Sequence, residues 1–266
     1  MAKRIDVRAI LEGYFNGLSS NNIARTRHVS KHSVKDVVML AKLKDYASME
    51  DIAQMSDDEL YRDFFPDKMS SSVFYLVKKA SFKYPHVGAS SIDYLPERHL
   101  PKDLIQNLAT GNFVNHATDV AIYGATGSGK SYIACAIGKA ACMKGKRTLF
   151  YRMQDLFLDY DCIETPLQRK KFLKKLANYD LLIIDEWLGD TVTEKQLSFI
   201  YELVEKRTEV HSTIFCGQIK PKEWYARLGT SNKTESILNR IFSGLCKVDC
   251  GEFNMREYLS SNKLVI

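Results

Sequence analysis

Near the start of the chain, apolar residues recur at helical spacing. Val7, Ile10, Leu11 and Tyr14 share one helix face, and Gly17 supplies a stop. Ser19 can cap a second helix carrying Ile23 and Ala24. After a turn at Arg27 and His28, Ser30 can cap a third helix with Val34, Val37, Val38 and Leu40 on its apolar side. Helix, tight turn and a basic third helix follow the helix-turn-helix plan. An acidic helical stretch over residues 45–68 ends in Phe64-Phe65-Pro66, and the Ser- and Lys-rich stretch 68–91 reads as a domain boundary.

From Ile92 onward the pattern changes. Short β-rich runs at 120–123, 148–151, 181–184 and 213–215 alternate with helical patterns, notably 130–144 and 194–208. This alternation predicts a parallel sheet with helices on both faces. The expected organisation is a small all-α module over 1–44, an acidic helical connector and linker over 45–91, and an α/β domain over 92–266. Thr165 and Pro166 should start a helix whose Phe172, Leu173 and Leu176 face the core. Its Arg169, Lys170, Lys171, Lys174 and Lys175 suit either DNA contact or plain solvation.

Composition narrows the class. Of 266 residues, 45% are apolar and 26% charged, values that exclude bulk disorder. No apolar run approaches the length of a membrane span, and Asp6 and Arg8 interrupt any leader-like segment, so a soluble, cytoplasmic chain with no membrane partner is expected. Six cysteines form no C-x-x-C pair, and Cys135 and Cys142 sit where buried reduced thiols are found. Cys246 and Cys250 lack the further ligands that a zinc site needs. The net charge of +6 is unevenly spread. Residues 1–44 hold nine Lys or Arg against three acids, and residues 45–68 hold eight acids against two cations. A basic module followed by an acidic connector fits that reversal.

The chemistry concentrates in two motifs. Gly124-Ala125-Thr126-Gly127-Ser128-Gly129-Lys130-Ser131 satisfies G-x-x-x-x-G-K-[ST], between a β-rich run and a helical pattern. Such a loop turns backbone N–H groups onto a nucleotide phosphate and adds the helix dipole. Lys130 would bridge the terminal phosphates, and the Ser131 hydroxyl would hold Mg²⁺. Leu181-Leu182-Ile183-Ile184-Asp185-Glu186 is an aliphatic strand ending in two acids. Asp185 suits a metal or metal-water ligand, and Glu186 suits a general base acting on water. The expected fold is therefore a P-loop NTPase that takes ATP and Mg²⁺. Gln218, near a strand end, could touch the γ-phosphate or its attacking water, or be an ordinary loop glutamine. Arg240, a cation on an apolar helix, could reach a neighbour's nucleotide, cap its own helix or lie at the surface. Arg256 is a candidate cation acting within its own subunit.

These segments, with Ile92-Asp93-Tyr94, Leu108-Ala109-Thr110-Gly111, Ser212-Thr213-Ile214-Phe215-Cys216 and Trp224, occur in an order that resembles IstB, the AAA+ ATPases that assist insertion-sequence transposition. The group is similar to the helicase loader DnaC and, more distantly, to the initiator DnaA. The resemblance implies an AAA+-type αβα sandwich, ATP-dependent homo-oligomers on double-stranded DNA, recruitment or activation of a transposase, and hydrolysis that resets the assembly. It also implies Gln218 as sensor, Arg240 as arginine finger and Arg256 as second sensor. The N-terminal part instead resembles the start of the partner transposase IstA, through Gly17-Leu18-Ser19, Ile23-Ala24-Arg25, Val29-Ser30-Lys31 and Ser33-Val34-Lys35. It departs from that pattern at the turn, where His28 replaces the usual Gly and Arg27 a common core leucine. In that module Lys31, His32 and Lys35 would meet phosphates or base edges, and Arg25 and Arg27 the backbone. A solvated basic face is the plain alternative. Two other functions remain open: a DnaC-like helicase loader, and a non-enzymatic helix-turn-helix regulator that uses the P-loop as a nucleotide switch.

Overall fold

The structure, a computed structural model, describes residues 5–65 and 70–263. Lys3 and Arg4 of the basic run, and Pro66, Asp67 and Lys68 of the acidic connector, lie outside the described residues. Three helices open the chain: α1 (Val7–Phe15), α2 (Ser20–Thr26) and α3 (Lys31–Leu43). Each starts where a side chain can accept an otherwise unpaired helix N–H. Asp6, Ser19 and Ser30 take the amides of Ala9, Asn22 and Ser33. His28 makes the turn between α2 and α3 at φ +51°, a left-handed value that costs a non-glycine residue about 1 kcal/mol.

The acidic segment closes this bundle. Helix α4 (Asp57–Phe64) begins with a reciprocal Ser56–Glu59 capping box and packs against α1 and α3. Leu60 and Phe64 are fully buried there, and Lys44 pairs with Asp63 at 2.7 Å. Arg8 ties α1 to the Asp57 carboxylate and to the Met55 carbonyl. Two pairs, Arg8–Asp57 and Lys44–Asp63, thus join the basic run to the acidic one within one bundle.

Helix α5 (Ser70–Lys79) leads to the α/β part, whose order is α6 (Lys102–Leu108), β1 (Val120–Tyr123), α7 (Lys130–Met143), β2 (Thr148–Arg152), α8 (Met153–Asp161), α9 (Pro166–Ala177), β3 (Leu181–Asp185), α10 (Glu194–Arg207), β4 (Ser212–Gly217), α11 (Trp224–Leu228), α12 (Asn232–Phe242), β5 (Cys246–Asp249) and α13 (Met255–Lys263). All strand pairs are parallel, in the order β2-β3-β4-β1-β5. Side chains alternate between two cores. Val120, Ile122, Ile183 and Ile214 join α7 and the N-terminal bundle, whereas Ala121, Leu182, Ile184 and Phe215 join α8 to α12. This is the α/β P-loop sandwich, with a parallel sheet buried on both faces as such sheets require.

The register positions the site. Tyr123 lies opposite Gly217, and Asp185 opposite Cys216, so β1, β3 and β4 end level with one another. The segments that follow them converge on one edge, where parallel α/β sheets offer ligand crevices. Cys135 and Cys142 are buried in α7, and burial pushes their thiols up to about 12 and about 11. No helix among the described residues is long and apolar enough to cross a membrane.

At the opposite edge, buried Arg207 holds the sheet to α9. It donates to the carbonyls of Leu176, Ala177 and Tyr179 at 3.0, 3.2 and 2.8 Å, to Ser212 O, and to Thr213 Oγ1 at 3.0 Å. Burial lowers its pKa to about 10, so it stays charged at neutral pH. Arg207→Leu would strand these acceptors and should cost about 3 kcal/mol in urea unfolding, whereas a loss under about 1 kcal/mol would contradict the tie.

Candidate nucleotide-binding site

The loop between β1 and α7 is clamped from two sides. Gly124 lies so close to the C-terminal segment that a Cβ there would come within 2.7 Å of Gly251 O, and the Ala125 N–H donates to that same oxygen at 2.9 Å. Gly127 adopts φ +83°, and its carbonyl accepts the Met255 N–H at 2.9 Å, at the start of α13. From the other side comes Arg98, only 4% exposed, which donates to Ser128 O at 2.9 Å and to Asp93 O. A loop that would otherwise be free to move is thus fixed at several carbonyls and amides before any ligand arrives.

Inside this bend, Lys130 Nζ donates to Ala125 O at 2.6 Å. Burial draws its pKa below the usual lysine value and nearby Arg256 adds to this, while Cys216, Cys250 and Asp185 oppose it. A desolvated ammonium at the uncapped N-terminus of α7 is suited to an anion. The Ser128 hydroxyl is buried with no partner among the described residues.

Across from the loop, Asp185 ends β3 at 2% exposure, and Ser131 Oγ lies 2.8 and 2.9 Å from its two oxygens. Lys83 Nζ reaches the same carboxylate at 3.4 Å. Glu186 follows at φ +59°, which turns its side chain away from the strand line, and Arg152 Nε donates to it at 2.6 Å. The Trp187 N–H donates to Cys216 O at 2.8 Å, and a Cβ on Gly217 would meet Trp187 O at 2.5 Å. β3 and β4 therefore remain in close contact beyond the last paired residues.

A cavity of about 820 Å³ opens between these groups, large enough for a nucleoside triphosphate. Its lining includes Thr126, Lys130, Ser131, Asp185, Glu186, Gln218 and Arg256. Gln218 directly follows β4 and Arg256 stands in the first turn of α13. The fit to a magnesium triphosphate is good: the Lys130 ammonium at the start of α7 lines the same cavity as a hydroxyl and carboxylate pair of the kind that binds a hard cation.

Other candidate residues lie elsewhere. Arg240 does not line the cavity. It bonds Ser236, approaches Glu205 at 3.6 Å and stacks 5.6 Å from the Tyr201 ring centre. Arg25, Arg27, Lys31, His32 and Lys35 are exposed on α2, α3 and the turn between them, with Arg27 paired to Glu12 at 3.1 Å and His32 near Asp36 at 3.4 Å. Sequence reasoning missed Lys83, Arg98 and Arg152. Each is a cation outside any motif, and the partners at the site lie 102, 30 and 34 positions away.

Comparison with known proteins gives a consistent result. The family profile described as IstB-like ATP binding protein matches residues 32–262. The insertion-sequence ATP-binding protein y4pL of Sinorhizobium fredii is 28% identical over 165 residues, covering 62% of this chain and 67% of its own length. The ATP-binding protein of insertion sequence IS232 from Bacillus thuringiensis is 24% identical over 218 residues, 82% of this chain and 84% of its own. Among solved structures, the DnaC helicase loader shares the fold with a TM-score of 0.51 at 21% identity, over 63% of this chain and 98% of the loader.

The clamp can be tested on its own. Arg98→Met should leave Ser128 O and Asp93 O unpaired, lower stability by about 2 kcal/mol in urea unfolding and weaken nucleotide binding. Unchanged stability and affinity would show that the loop holds itself.

Proposed function

The chain belongs to the IstB-like ATP-binding protein family, and on that premise we propose that it is an ATP-hydrolysing helper of insertion-sequence transposition. The observation that carries this reading is the meeting of Lys130 and Ser131 with Asp185 and Glu186 at one end of a cavity of nucleotide size. Glu186, the second acid at this end of the cavity, supports hydrolysis over binding alone.

In this reading the amides at the start of α7 and the Lys130 ammonium hold the triphosphate, with Arg256 contributing from α13. Ser131 and Asp185 hold Mg²⁺, which supplies charge neutralisation on the terminal phosphates when bound. Glu186 accepts a proton from the attacking water, so its carboxylate must first part from Arg152. Gln218 orients that water or the γ-phosphate. Arg240 lies away from its own cavity, a placement compatible with completing the site of a neighbouring copy in a head-to-tail homo-oligomer. Residues 1–44 carry the DNA-reading helix-turn-helix, the 45–91 segment packs α4 on it and brings Lys83 to the cavity, and 92–266 carry the ATPase. The exposed Arg25, Arg27, Lys31, His32 and Lys35 contact duplex DNA, and an IstA-like transposase is the partner recruited.

Two experiments test this. Lys130→Ala should abolish nucleotide binding, whereas Glu186→Gln should bind within about threefold of the parent and stop phosphate release, since only the proton acceptor is lost. Normal turnover by Glu186→Gln would remove the base assignment. For DNA, the double substitution Lys31→Glu and Lys35→Glu should weaken duplex binding and reduce the slope of log affinity against log salt by about two. An unchanged slope would remove α3 from the interface.

A further inference from the structure

Residues 80–94 form a strap across α7. It starts beside the sheet edge, where Ala80 O accepts the Phe150 N–H at 2.8 Å. Phe82 then packs so closely on α7 that a Cβ at Gly138 would lie 2.7 Å from its ring. The Tyr84 ring lies 5.8 Å from that of Tyr132, whose hydroxyl donates to Ser91 O at 3.2 Å. Lys139 Nζ donates to His86 O at 3.4 Å. So placed, the strap carries Lys83 to the tip of β3.

Asp185 is a carboxylate almost without solvent, and a charge in that position needs a counter-charge. Ser131 supplies a hydrogen bond but no charge. Lys130 and Arg152 feel the charge of Asp185 from farther off, but among the described residues Lys83 is the one cation within ion-pair distance of it, at 3.4 Å. The two groups differ in freedom: the Lys83 side chain is 39% exposed on a flexible stem, whereas that of Asp185 is 3% exposed and fixed in the sheet. A dication held by Ser131 and Asp185 would repel an ammonium this close, so the lysine is the partner that can leave.

We propose that Lys83 is a resident counter-ion of Asp185 that is exchanged for the metal when Mg·ATP binds, and so sets how much Mg²⁺ the site requires. Lys83 is thus a positioning residue outside both nucleotide motifs. The proposal rests on Ser131 and Asp185 being the metal end of the cavity.

The test is a Mg²⁺ titration of a methylanthraniloyl-labelled, non-hydrolysable ATP analogue bound to the full chain, read by fluorescence. Lys83→Met should lower the Mg²⁺ concentration at half-maximal binding about three- to tenfold, the scale expected for removing one nearby positive charge. Lys83→Arg should keep the parent midpoint. Without metal, Lys83→Met should also melt a few degrees below the parent, and the difference should close at saturating Mg²⁺ and analogue. A lysine that only braces the fold would lower both melting points equally and leave the Mg²⁺ midpoint in place. A lysine that grips the γ-phosphate would weaken analogue binding when removed. Either result overturns the exchange. Nucleotide binding by the parent protein that is indifferent to Mg²⁺ would instead remove the metal-site reading itself.

Discussion

The short bond between Ser131 and Asp185 is the constraint on which the site depends. Strand β4 lies between β1 and β3, so the loop after β1 and the tip of β3 are not neighbours in the sheet. Only α7, crossing the face of β4, can bring the start of a helix to the end of β3. That crossing needs a close approach, and it occurs at Gly138, where a Cβ would lie 2.6 Å from Ile183 Cδ1. The level strand ends then put Glu186 and Gln218 beside the pair. A shift of α7 by one side-chain diameter would separate the anion cradle from its acids.

The cradle itself is held by segments far apart in the chain. Arg98 arrives from the stretch before β1, and Gly251 and Met255 from the stretch after β5. Its rigidity is therefore a property of the whole α/β unit. Such preorganisation means that binding need not be offset by ordering the loop. The N-terminal bundle shares the core beneath α7 through α5, Phe82 and Ile92. Through these links one continuous core joins the bundle to the helix that begins at Lys130.

Much of this was legible in the sequence because the features are local. The glycine-rich loop, the aliphatic run ending in Asp185 and the caps at Ser19, Ser30 and Thr165 each declare themselves within a few residues. Strand β5 was missed because it is an edge strand: Lys247 and Asp249 face outward and only Val248 is fully buried, so no aliphatic run marks it. The packing of α4 on α1 was missed because a charge reversal reads the same whether the two segments face each other or stand apart. Lys83, Arg98 and Arg152 were illegible for a third reason. Their contacts at the site exist only once distant segments have folded together, and their immediate sequence looks like that of ordinary surface cations.

The most direct measurement is equilibrium dialysis of the purified full chain against labelled ATP with Mg²⁺, because it needs neither an optical change nor a heat of binding. The arrangement of the loop and its facing acids predicts one saturable site per chain, emptied by excess unlabelled ATP. A folded protein that retains no label at millimolar nucleotide would contradict it.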